Sequence, residues 1–426
     1  MIGREPRAIR SIPHIRHRPR GENLRHHKIS DHPLKHPVLP PSKLPHVGTT
    51  IFTTMSALAA EHGALNVAQG FPDLETPVPL REAVKKAIDD GVNQYAPMAG
   101  DVGLREWISN WYRESNGAEY DVATEITIGA GASSVIFAAL QAFVNEGDEV
   151  IIVDPSYDLY APAVHLAKGV IKRAEGIESI EKHLTEKTRA VVINSPHNPT
   201  GDCFSEEDLK GLELILIGTN VLLFSDEVYR PMAHDSRPNL SASHLPNLRN
   251  RTLIFGSFGK LFHATGWKIG WVVAPEAITR ELRKVHQYDV FSTGAPIQRG
   301  LAKYLSTEHS REHLRNVGPI YERKRNRLLK GLKGTAFRFT PAEGGYFQVL
   351  DYSQLKTLGD KPDIEVAREL TINHGLATIP LSPFRESQSE SALSERRLRI
   401  CFAKGDDTID ATIEKLVAID KFYKDV

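Results

Sequence analysis

A lysine in a segment rich in glycine and aromatic residues is the residue best placed to do covalent chemistry. Lys260 lies in the segment 257–270 (SFGKLFHATGWKIG), directly after an apolar run, 252–255, that predicts a buried strand. A partly desolvated lysine amine has a lowered pKa and can form a Schiff base with a carbonyl group. The glycines leave room for a flat ring, and Ser257 and Lys268 supply a hydroxyl and a cation suited to one phosphate. The alternative is an ordinary lysine on a surface loop.

Polar and aromatic residues follow three other predicted strands, at the edge where open α/β sheets bind ligands. Tyr157 could stack on a flat ring there or pack in the core, and the sequence favours neither. Asn198 lies in a dense turn, SPHNPTG, whose prolines fix the direction of its amide. Asp226 ends a buried strand, where a carboxylate needs a partner such as a protonated ring nitrogen, and Tyr229 follows three residues later. The alternative for Asn198 is a purely structural turn, and the alternative for Asp226 is an acid of the kind that is common at strand ends.

A glycine turn between a predicted strand and a predicted helix is suited to binding an anion. The segment 129–134 (GAGASS) follows an apolar strand and opens an apolar helix. Free backbone N–H groups and the helix dipole would then face one point, with ligands around Gly131, Ala132 and Ser133. Many tight turns that bind no anion have a similar cluster of glycine and small residues. This assignment therefore depends on the phosphate that the lysine segment independently suggests.

A predicted strand near the C-terminus carries closely spaced arginines. In the segment 397–404 (RLRICFAK), alternation places Arg397 and Arg399 on one face of the strand. A guanidinium group binds a carboxylate through two parallel hydrogen bonds. A surface ion pair is the alternative, and it is the interpretation we prefer for Arg396 and Arg397.

These segments resemble the fold-type I pyridoxal-phosphate aminotransferases of class I and II. The pattern SFGKxxHxTGWKxG, followed by KVHQY at 284–288, is similar to the methionine (kynurenine–glutamine) aminotransferase branch. The resemblance runs from about Ser42 to the C-terminus and includes the NPTG turn at 198–201. It implies the cofactor pyridoxal 5′-phosphate, a homodimer with shared active sites, and transfer of an amino group from an amino acid to a 2-oxo acid.

The resemblance also implies a role for each candidate residue. Lys260 would hold the cofactor and then act as general base and acid. The other cofactor-binding residues would be Gly131, Ala132, Ser133, Ser257 and Lys268 at the phosphate, Tyr157 and Asp226 at the ring, Asn198 and Tyr229 at the phenolic oxygen, and Tyr95 reaching the phosphate of a partner subunit. Arg399 and the region of Gly70 and Asn198 would bind the substrate carboxylate. By themselves, Tyr95 is an ordinary loop tyrosine and Gly70 a turn glycine.

The order of predicted elements indicates an α/β protein with two domains. Strands buried on both faces alternate with helices, which predicts a mostly parallel sheet. The resemblance implies the fold-type I architecture, with a sheet of seven strands. We expect an arm at 42–78 that contributes to the small domain, a large cofactor-binding domain at 79–317, and a small α+β domain at 318–426. Within the small domain, the sequence predicts a helix at 321–333 and a strand near Phe337.

The segment 1–41 differs in composition from the rest of the chain. It is rich in arginine, histidine and proline and poor in acids, so we predict that it is disordered. One interpretation is an inert extension or a start codon placed too early. Another is an organelle transit peptide, although a clean amphipathic stripe is missing. The third is a segment that binds nucleic acid, or a metal through its histidines.

Composition narrows the class of partner and the compartment. The 426 residues allow two domains, and 53 basic residues balance 53 acidic ones. Neither nucleic acid nor a membrane surface is therefore expected as the main partner. Two cysteines, Cys203 and Cys401, indicate no disulfide framework or zinc site, and no metal ligand is assigned. We expect a cytoplasmic protein, or a mitochondrial one if 1–41 is a transit peptide.

The expected amino donor is apolar or aromatic. No second arginine marks a site for a side-chain carboxylate, whereas Trp267, Tyr288 and Phe291 suggest methionine, phenylalanine, tyrosine or kynurenine. His263 and His286 are further pocket candidates, for which plain packing is at least as good an explanation. Two alternatives stay open. One is a cysteine-S-conjugate β-lyase, which starts from the same carbanion, and the other is a weakly catalytic cofactor-binding regulator with the basic extension as its effector.

Overall fold

The computed structural model describes residues 39–386 and 389–425, so most of the extension predicted to be disordered lies outside the described residues. The described residues from Lys43 onward belong to one unit of tertiary contacts. The candidate site residues all lie within that unit.

The strands are short and most are rich in valine, isoleucine and leucine. Those of the described residues are β1 Leu65–Asn66, β2 Ile126–Ala130, β3 Glu149–Val153, β4 Val170–Ala174, β5 Thr188–Asn194, β6 Leu222–Asp226, β7 Thr252–Ser257, β8 Ile269–Val273, β9 Phe347–Asp351, β10 Leu376–Ala377, β11 Ile379–Pro380 and β12 Arg397–Cys401. The apolar run 252–255, which predicted a buried strand, lies within β7.

The large sheet has the strand order β2-β8-β7-β6-β5-β3-β4. The strands from β7 through β6, β5 and β3 to β4 run parallel, whereas β8 is antiparallel to both of its neighbours. The prediction of a mostly parallel, seven-stranded sheet is confirmed. Since parallel neighbours bring their carboxyl ends to one edge, the residues that follow β5, β6 and β7 lie close together.

Two smaller sheets pair distant parts of the chain. Strands β11, β12 and β9 form an antiparallel sheet in that order, and β1 pairs parallel with β10. The strand that carries Arg399, β12, is the central strand of the antiparallel sheet. Hydrogen bonds on both sides therefore fix its backbone.

Helices connect and cover these sheets. In the described residues the α-helices are α1 Ile51–Glu61, α2 Val78–Asp89, α3 Val102–Asn116, α4 Gly131–Phe143, α5 Tyr160–Leu166, α6 Glu206–Leu216, α7 Pro246–Arg249, α8 Phe258–Leu261, α9 Glu276–Asp289, α10 Ala295–Leu305, α11 Glu308–Leu332, α12 Asp363–His374, α13 Glu390–Leu393 and α14 Asp406–Asp425. Short 3-10 helices span Ile177–His183, Arg230–Met232, Ala242–His244, Thr265–Trp267 and Ser382–Phe384. None of the helices within 39–386 and 389–425 has the length and apolar character needed to span a membrane.

One hydrophobic core joins the large sheet to the small antiparallel sheet. It includes Ile152 and Phe255 from the large sheet together with Leu350 and Ile400 from the small one. A second cluster, built around Trp271, packs on the other face of the large sheet. Because the first core is continuous, it fixes the edge of the large sheet relative to β12.

The helix α11 differs from the sequence prediction. We predicted a helix from Tyr321 onward, but α11 begins at Glu308 and passes through Pro319. Burial of Val317 and Tyr321 on one face of this helix outweighs the hydrogen bond that proline removes. The predicted boundary at 317/318 thus falls inside a helix, and the domain limits stay a prediction. Near Phe337 the predicted strand is replaced by an isolated bridge between Arg338 and Asp351.

Candidate active site

A cavity of about 300 Å³ lies between the carboxyl edge of the large sheet and the small antiparallel sheet. All of the residues predicted to bind the cofactor or the substrate carboxylate line it, except Tyr95. They are Gly70, Gly131, Ala132, Ser133, Tyr157, Asn198, Asp226, Tyr229, Ser257, Lys260, Lys268 and Arg399. Residues separated by more than three hundred positions in the sequence thus meet at one site.

Lys260 presents a partly buried amine to this cavity. It lies on the single-turn helix α8, immediately after β7. Its Nζ donates a hydrogen bond to the Gly70 carbonyl oxygen at 3.5 Å, and it lies 5.6 Å from the ring centre of Tyr229. Burial lowers the pKa of Lys260 to about 8. About a tenth of this amine is therefore unprotonated, and nucleophilic, at pH 7, far more than for an ordinary lysine.

Asp226 presents a buried carboxylate at the end of β6. The Tyr160 hydroxyl donates to its Oδ2 at 2.7 Å, and the backbone N–H of Val228 donates to its Oδ1 at 3.3 Å. Burial raises the pKa of Asp226 to about 6, whereas these two hydrogen bonds act in the opposite direction. The carboxylate is therefore mostly ionised at neutral pH and suited to a cationic partner.

Arg399 and Asn198 form a hydrogen-bonded pair on the wall formed by β12. Arg399 donates from Nη1 to Asn198 Oδ1 at 2.7 Å and from Nη2 to the Ala68 carbonyl at 3.0 Å. The guanidinium group stacks on the Phe347 ring at 4.0 Å from its centre. The Arg399 side chain is 1% exposed and its Nε has no hydrogen-bond partner among the described residues. A fixed, buried guanidinium group of this kind can bind a carboxylate.

Of the two neighbouring arginines, Arg397 forms the ion pair that we preferred for it, whereas Arg396 donates to backbone carbonyl groups instead. Arg397 donates to both carboxylate oxygens of Glu395, at 2.6 and 2.8 Å. Arg396 donates to backbone carbonyls, including that of Gly359 at 3.0 Å. Neither of them lines the cavity.

Close backbone packing shapes the end of the cavity where α4 begins. Gly131 has φ +75°, and a Cβ built there would lie 3.2 Å from Lys268 Nζ. A Cβ built on Gly270 would lie 2.4 Å from the backbone nitrogen of Ala132. Glycine at these positions lets β8 approach the first turn of α4, so the Lys268 ammonium group lies beside the helix N-terminus. Such a combination of N–H groups and one cation suits a phosphate.

Several other predicted candidates lie away from the cavity. Tyr95 is 85% exposed and its ring contacts Phe291 edge-to-face, at 5.8 Å between ring centres. Its predicted role requires a partner subunit and stays a prediction. His263 Nδ1 pairs with the Tyr321 hydroxyl at 2.9 Å. The candidates that do not line the cavity are Trp267, His263, His286, Tyr288 and Phe291.

Several contributors to the site were absent from the prediction, among them Asn194, Tyr160 and Phe52. Asn194 accepts from the Asn198 backbone N–H and donates to the Asp226 carbonyl, each at 2.8 Å, so its side chain ties two strand ends together. Tyr160 holds the Asp226 carboxylate. Phe52 lines the cavity from α1. Asn194 is a polar residue that ends an apolar strand, the same pattern that singled out Asp226, and could have been found.

The family model described as "Aminotransferase class I and II" matches residues 63–417. The chain belongs to this aminotransferase family. A methionine aminotransferase of Escherichia coli (strain K12) is 41% identical to it over 388 residues, which cover 89% of the chain and 98% of that relative. A kynurenine–oxoglutarate transaminase of Dictyostelium discoideum is 32% identical and covers 88% of the chain and 95% of its own length.

Solved structures show the same fold in this aminotransferase. The crystal structure of an Escherichia coli protein for which a methionine aminotransferase function was identified superposes with a TM-score of 0.85 at 41% identity. That match covers 89% of the chain and 99% of the solved chain. The prediction of a fold-type I aminotransferase is confirmed, and the chain is an amino-group-transferring enzyme.

Proposed function

We propose that this aminotransferase binds pyridoxal 5′-phosphate and moves the amino group of an apolar or aromatic amino acid to a 2-oxo acid. The single observation that carries the proposal is the placement of the Lys260 amine in one cavity with the Asp226 carboxylate and the Arg399 guanidinium. The guanidinium group can bind the carboxylate of an amino acid, and the Asp226 carboxylate can pair with a cationic ring nitrogen of an aromatic cofactor. The Lys260 amine lies in the same cavity and can react with a carbonyl group.

The residues of the cavity fit that cofactor. The glycine packing around Gly131 and Gly270 admits an anion beside Lys268 and the α4 N-terminus, where Ser133 and Ser257 add hydroxyl groups. Tyr157 supplies an aromatic face, Asp226 an anion for a ring nitrogen, and Asn198 and Tyr229 supply polar groups for a phenolic oxygen. When bound, the cofactor supplies an electron sink for a carbanion.

The chain's own residues then divide the work. Arg399 binds the substrate carboxylate and orients the amino acid. Lys260, once its amine is free, removes and returns a proton at the substrate Cα, and its lowered pKa suits both steps near neutral pH. Asp226 keeps its negative charge against the ring end of the cavity. The Phe347 ring covers one face of the Arg399 guanidinium group and shields that face from water.

The lining of the cavity supports an apolar or aromatic donor. Within the described residues, its lining cations are Lys260, Lys268 and Arg399, and each already has a role. No lining cation remains for a side-chain carboxylate, while Phe52 and Phe71 add apolar surface. The names of the two relatives point to methionine and kynurenine, and phenylalanine and tyrosine fit the same surface.

We also propose a homodimer in which Tyr95 completes the phosphate site of the partner copy. An 85% exposed tyrosine that rests on Phe291 presents its hydroxyl away from its own core, which supports this arrangement. The cytoplasmic location, and the mitochondrial alternative that depends on 1–41, stay predictions.

The proposal is tested with purified protein, pyridoxal 5′-phosphate and a panel of amino acids and 2-oxo acids. We expect visible absorbance from the bound cofactor and conversion of methionine or an aromatic amino acid to its 2-oxo acid, followed by mass spectrometry. Lys260→Ala should lose both, and the exposed-lysine control Lys284→Ala should keep both. Release of pyruvate and ammonia from cysteine S-conjugates, without transfer, would favour the β-lyase. Cofactor absorbance that no amino acid alters would favour a binding protein.

A further inference from the structure

Tyr160 contacts the buried carboxylate of Asp226 without lining the cavity. It is the first residue of α5, is 2% exposed, and its hydroxyl lies 2.7 Å from Asp226 Oδ2. Among the described residues, the one other hydrogen bond to this carboxylate comes from the Val228 backbone N–H at 3.3 Å. Tyr160 is therefore the side chain that fixes how Asp226 is oriented.

The direction of this hydrogen bond follows from burial. Burial, and to a smaller degree the charge of Asp226, hold the pKa of the Tyr160 phenol well above its usual range. The hydroxyl therefore keeps its proton and acts as the hydrogen-bond donor. Burial raises the pKa of Asp226, and the bond from Tyr160 is the largest influence that opposes burial. Tyr160 thus favours the ionised form of a carboxylate that the protein interior disfavours.

The ring of Tyr160 has a second contact with the site. It packs edge-to-face against Tyr157, with 5.8 Å between ring centres and 81° between ring planes. Tyr157 lines the cavity and offers the aromatic face that we assign to the cofactor ring. One buried residue therefore supports both the aromatic face and the anion at the ring end.

We propose that Tyr160 is a positioning residue that acts on the cofactor through Asp226 and Tyr157. This inference rests on the proposed binding of pyridoxal 5′-phosphate. Its hydroxyl holds the Asp226 carboxylate ionised and in one orientation, and its ring holds Tyr157 in place. A tyrosine that served only the core would contribute to folding and would leave cofactor affinity unchanged.

The first test compares cofactor affinity in the full-length protein after removal and re-addition of pyridoxal 5′-phosphate. Tyr160→Phe removes the hydroxyl and keeps the ring, and we expect about tenfold weaker binding, because a hydrogen bond to a charged group is lost. Tyr120→Phe is the matched control, since Tyr120 is buried and its hydroxyl has no hydrogen-bond partner within the described residues. Its affinity should match that of the unmodified protein.

A double-mutant cycle separates a route through Asp226 from a general effect on folding. In an Asp226→Asn background, Tyr160→Phe should change cofactor affinity less than twofold, because no carboxylate remains to be held. Loss of the same tenfold factor in both backgrounds would overturn the route through Asp226. In turnover, Tyr160→Phe should lower kcat about tenfold and leave KM for the amino acid within about twofold, since Arg399 is unaffected.

The role of the ring has its own variant. Tyr160→Leu removes the contact with Tyr157 as well as the hydroxyl, so it should bind the cofactor more weakly than Tyr160→Phe. Equal affinities of these two variants would overturn the support of Tyr157. If the unmodified protein binds no pyridoxal 5′-phosphate, the proposed function itself fails. If it binds and Tyr160→Phe binds equally well, the function stands and the role of Tyr160 fails.

Discussion

Two adjacent acids at the end of β6 lie in contrasting surroundings. Asp226 lines the cavity, whereas Glu227 lies on the opposite side, in a buried polar cluster. Both are 5% exposed, and burial raises the pKa of each. The two residues share their chemistry and their depth in the protein, so the difference between them comes from the groups around them.

The cluster around Glu227 surrounds one carboxylate oxygen with hydrogen-bond donors and places a cation near the other oxygen, which has no hydrogen-bond partner among the described residues. Glu227 Oε1 accepts hydrogen bonds from the hydroxyls of Ser225 and Ser241 and from the Ala242 N–H, each at 3.0 Å. Arg230 lies 3.9 Å from Oε2, and its guanidinium group stacks over the Trp111 ring at 4.5 Å. Among the described residues, the Asp226 carboxylate receives two hydrogen bonds and forms no ion pair. A carboxylate surrounded by its own partners stabilises the fold, while one with fewer partners keeps its charge for a ligand.

The largest effect that tests this comparison is on activity. Asp226→Asn should lower kcat/KM about 10³-fold, because a charge that stabilises the reacting system is lost. Glu227→Gln keeps an oxygen for the three donors and should stay within about threefold of the unmodified enzyme, measured per folded molecule. Equal losses in the two variants would remove the distinction between a functional and a structural acid.

The second expected effect is on the stability of the fold, and it concerns the ion pair of Glu227 with Arg230. Arg230→Met leaves the Glu227 carboxylate buried without its cation, and we expect a loss of about 3 kcal/mol in the free energy of unfolding. The double variant Arg230→Met/Glu227→Gln should regain part of it. Chemical denaturation measures both, and a double variant no more stable than the single one would contradict the pairing.

A third effect is the pH dependence of the cofactor-free protein. The pKa of Asp226 is about 6 in the folded protein, above the unfolded value, so the folded state binds this proton more tightly. Its contribution to stability therefore falls as pH rises through about 6. The stability of Asp226→Asn relative to the unmodified protein should grow by about 1–2 kcal/mol between pH 5 and 8. A difference that is constant with pH would show that burial does not penalise the Asp226 charge.

The smallest effect comes from a single donor in the polar cluster. Ser241→Ala removes one of three hydrogen bonds to Glu227 and should cost about 1 kcal/mol of stability, with activity unchanged. Thermal unfolding and initial rates measure the two quantities. A drop in activity at constant stability would place the cluster within the catalytic machinery.

The sequence predicted the residues that touch the cavity better than the residues that support them. Lys260, Asp226 and Arg399 follow apolar strands or alternate within one, and these patterns and the resemblance point to the same positions. Tyr160 looks like any helix residue until β3 and β6 are placed in one sheet, which brings residues 66 positions apart within hydrogen-bonding distance.

The strands of the large sheet could be predicted from the sequence, but not every helix boundary could. Apolar runs between turn residues indicated the parallel strands, because buried strands need no alternation. The continuation of α11 through Pro319 could not be predicted, because the burial that compensates for proline depends on tertiary packing. The role of Tyr95 depends on a second copy of the chain, which one sequence cannot place.

The close approach of Gly270 to Ala132 also sets limits for protein engineering. Any side chain at 270 would displace the start of α4, so a library that varies this position would mostly sample damaged phosphate sites. Phe52 and Phe71 line the same cavity from segments outside the large sheet. Changes in substrate range should therefore be sought at these two aromatic positions, with the glycine-packed end left unaltered.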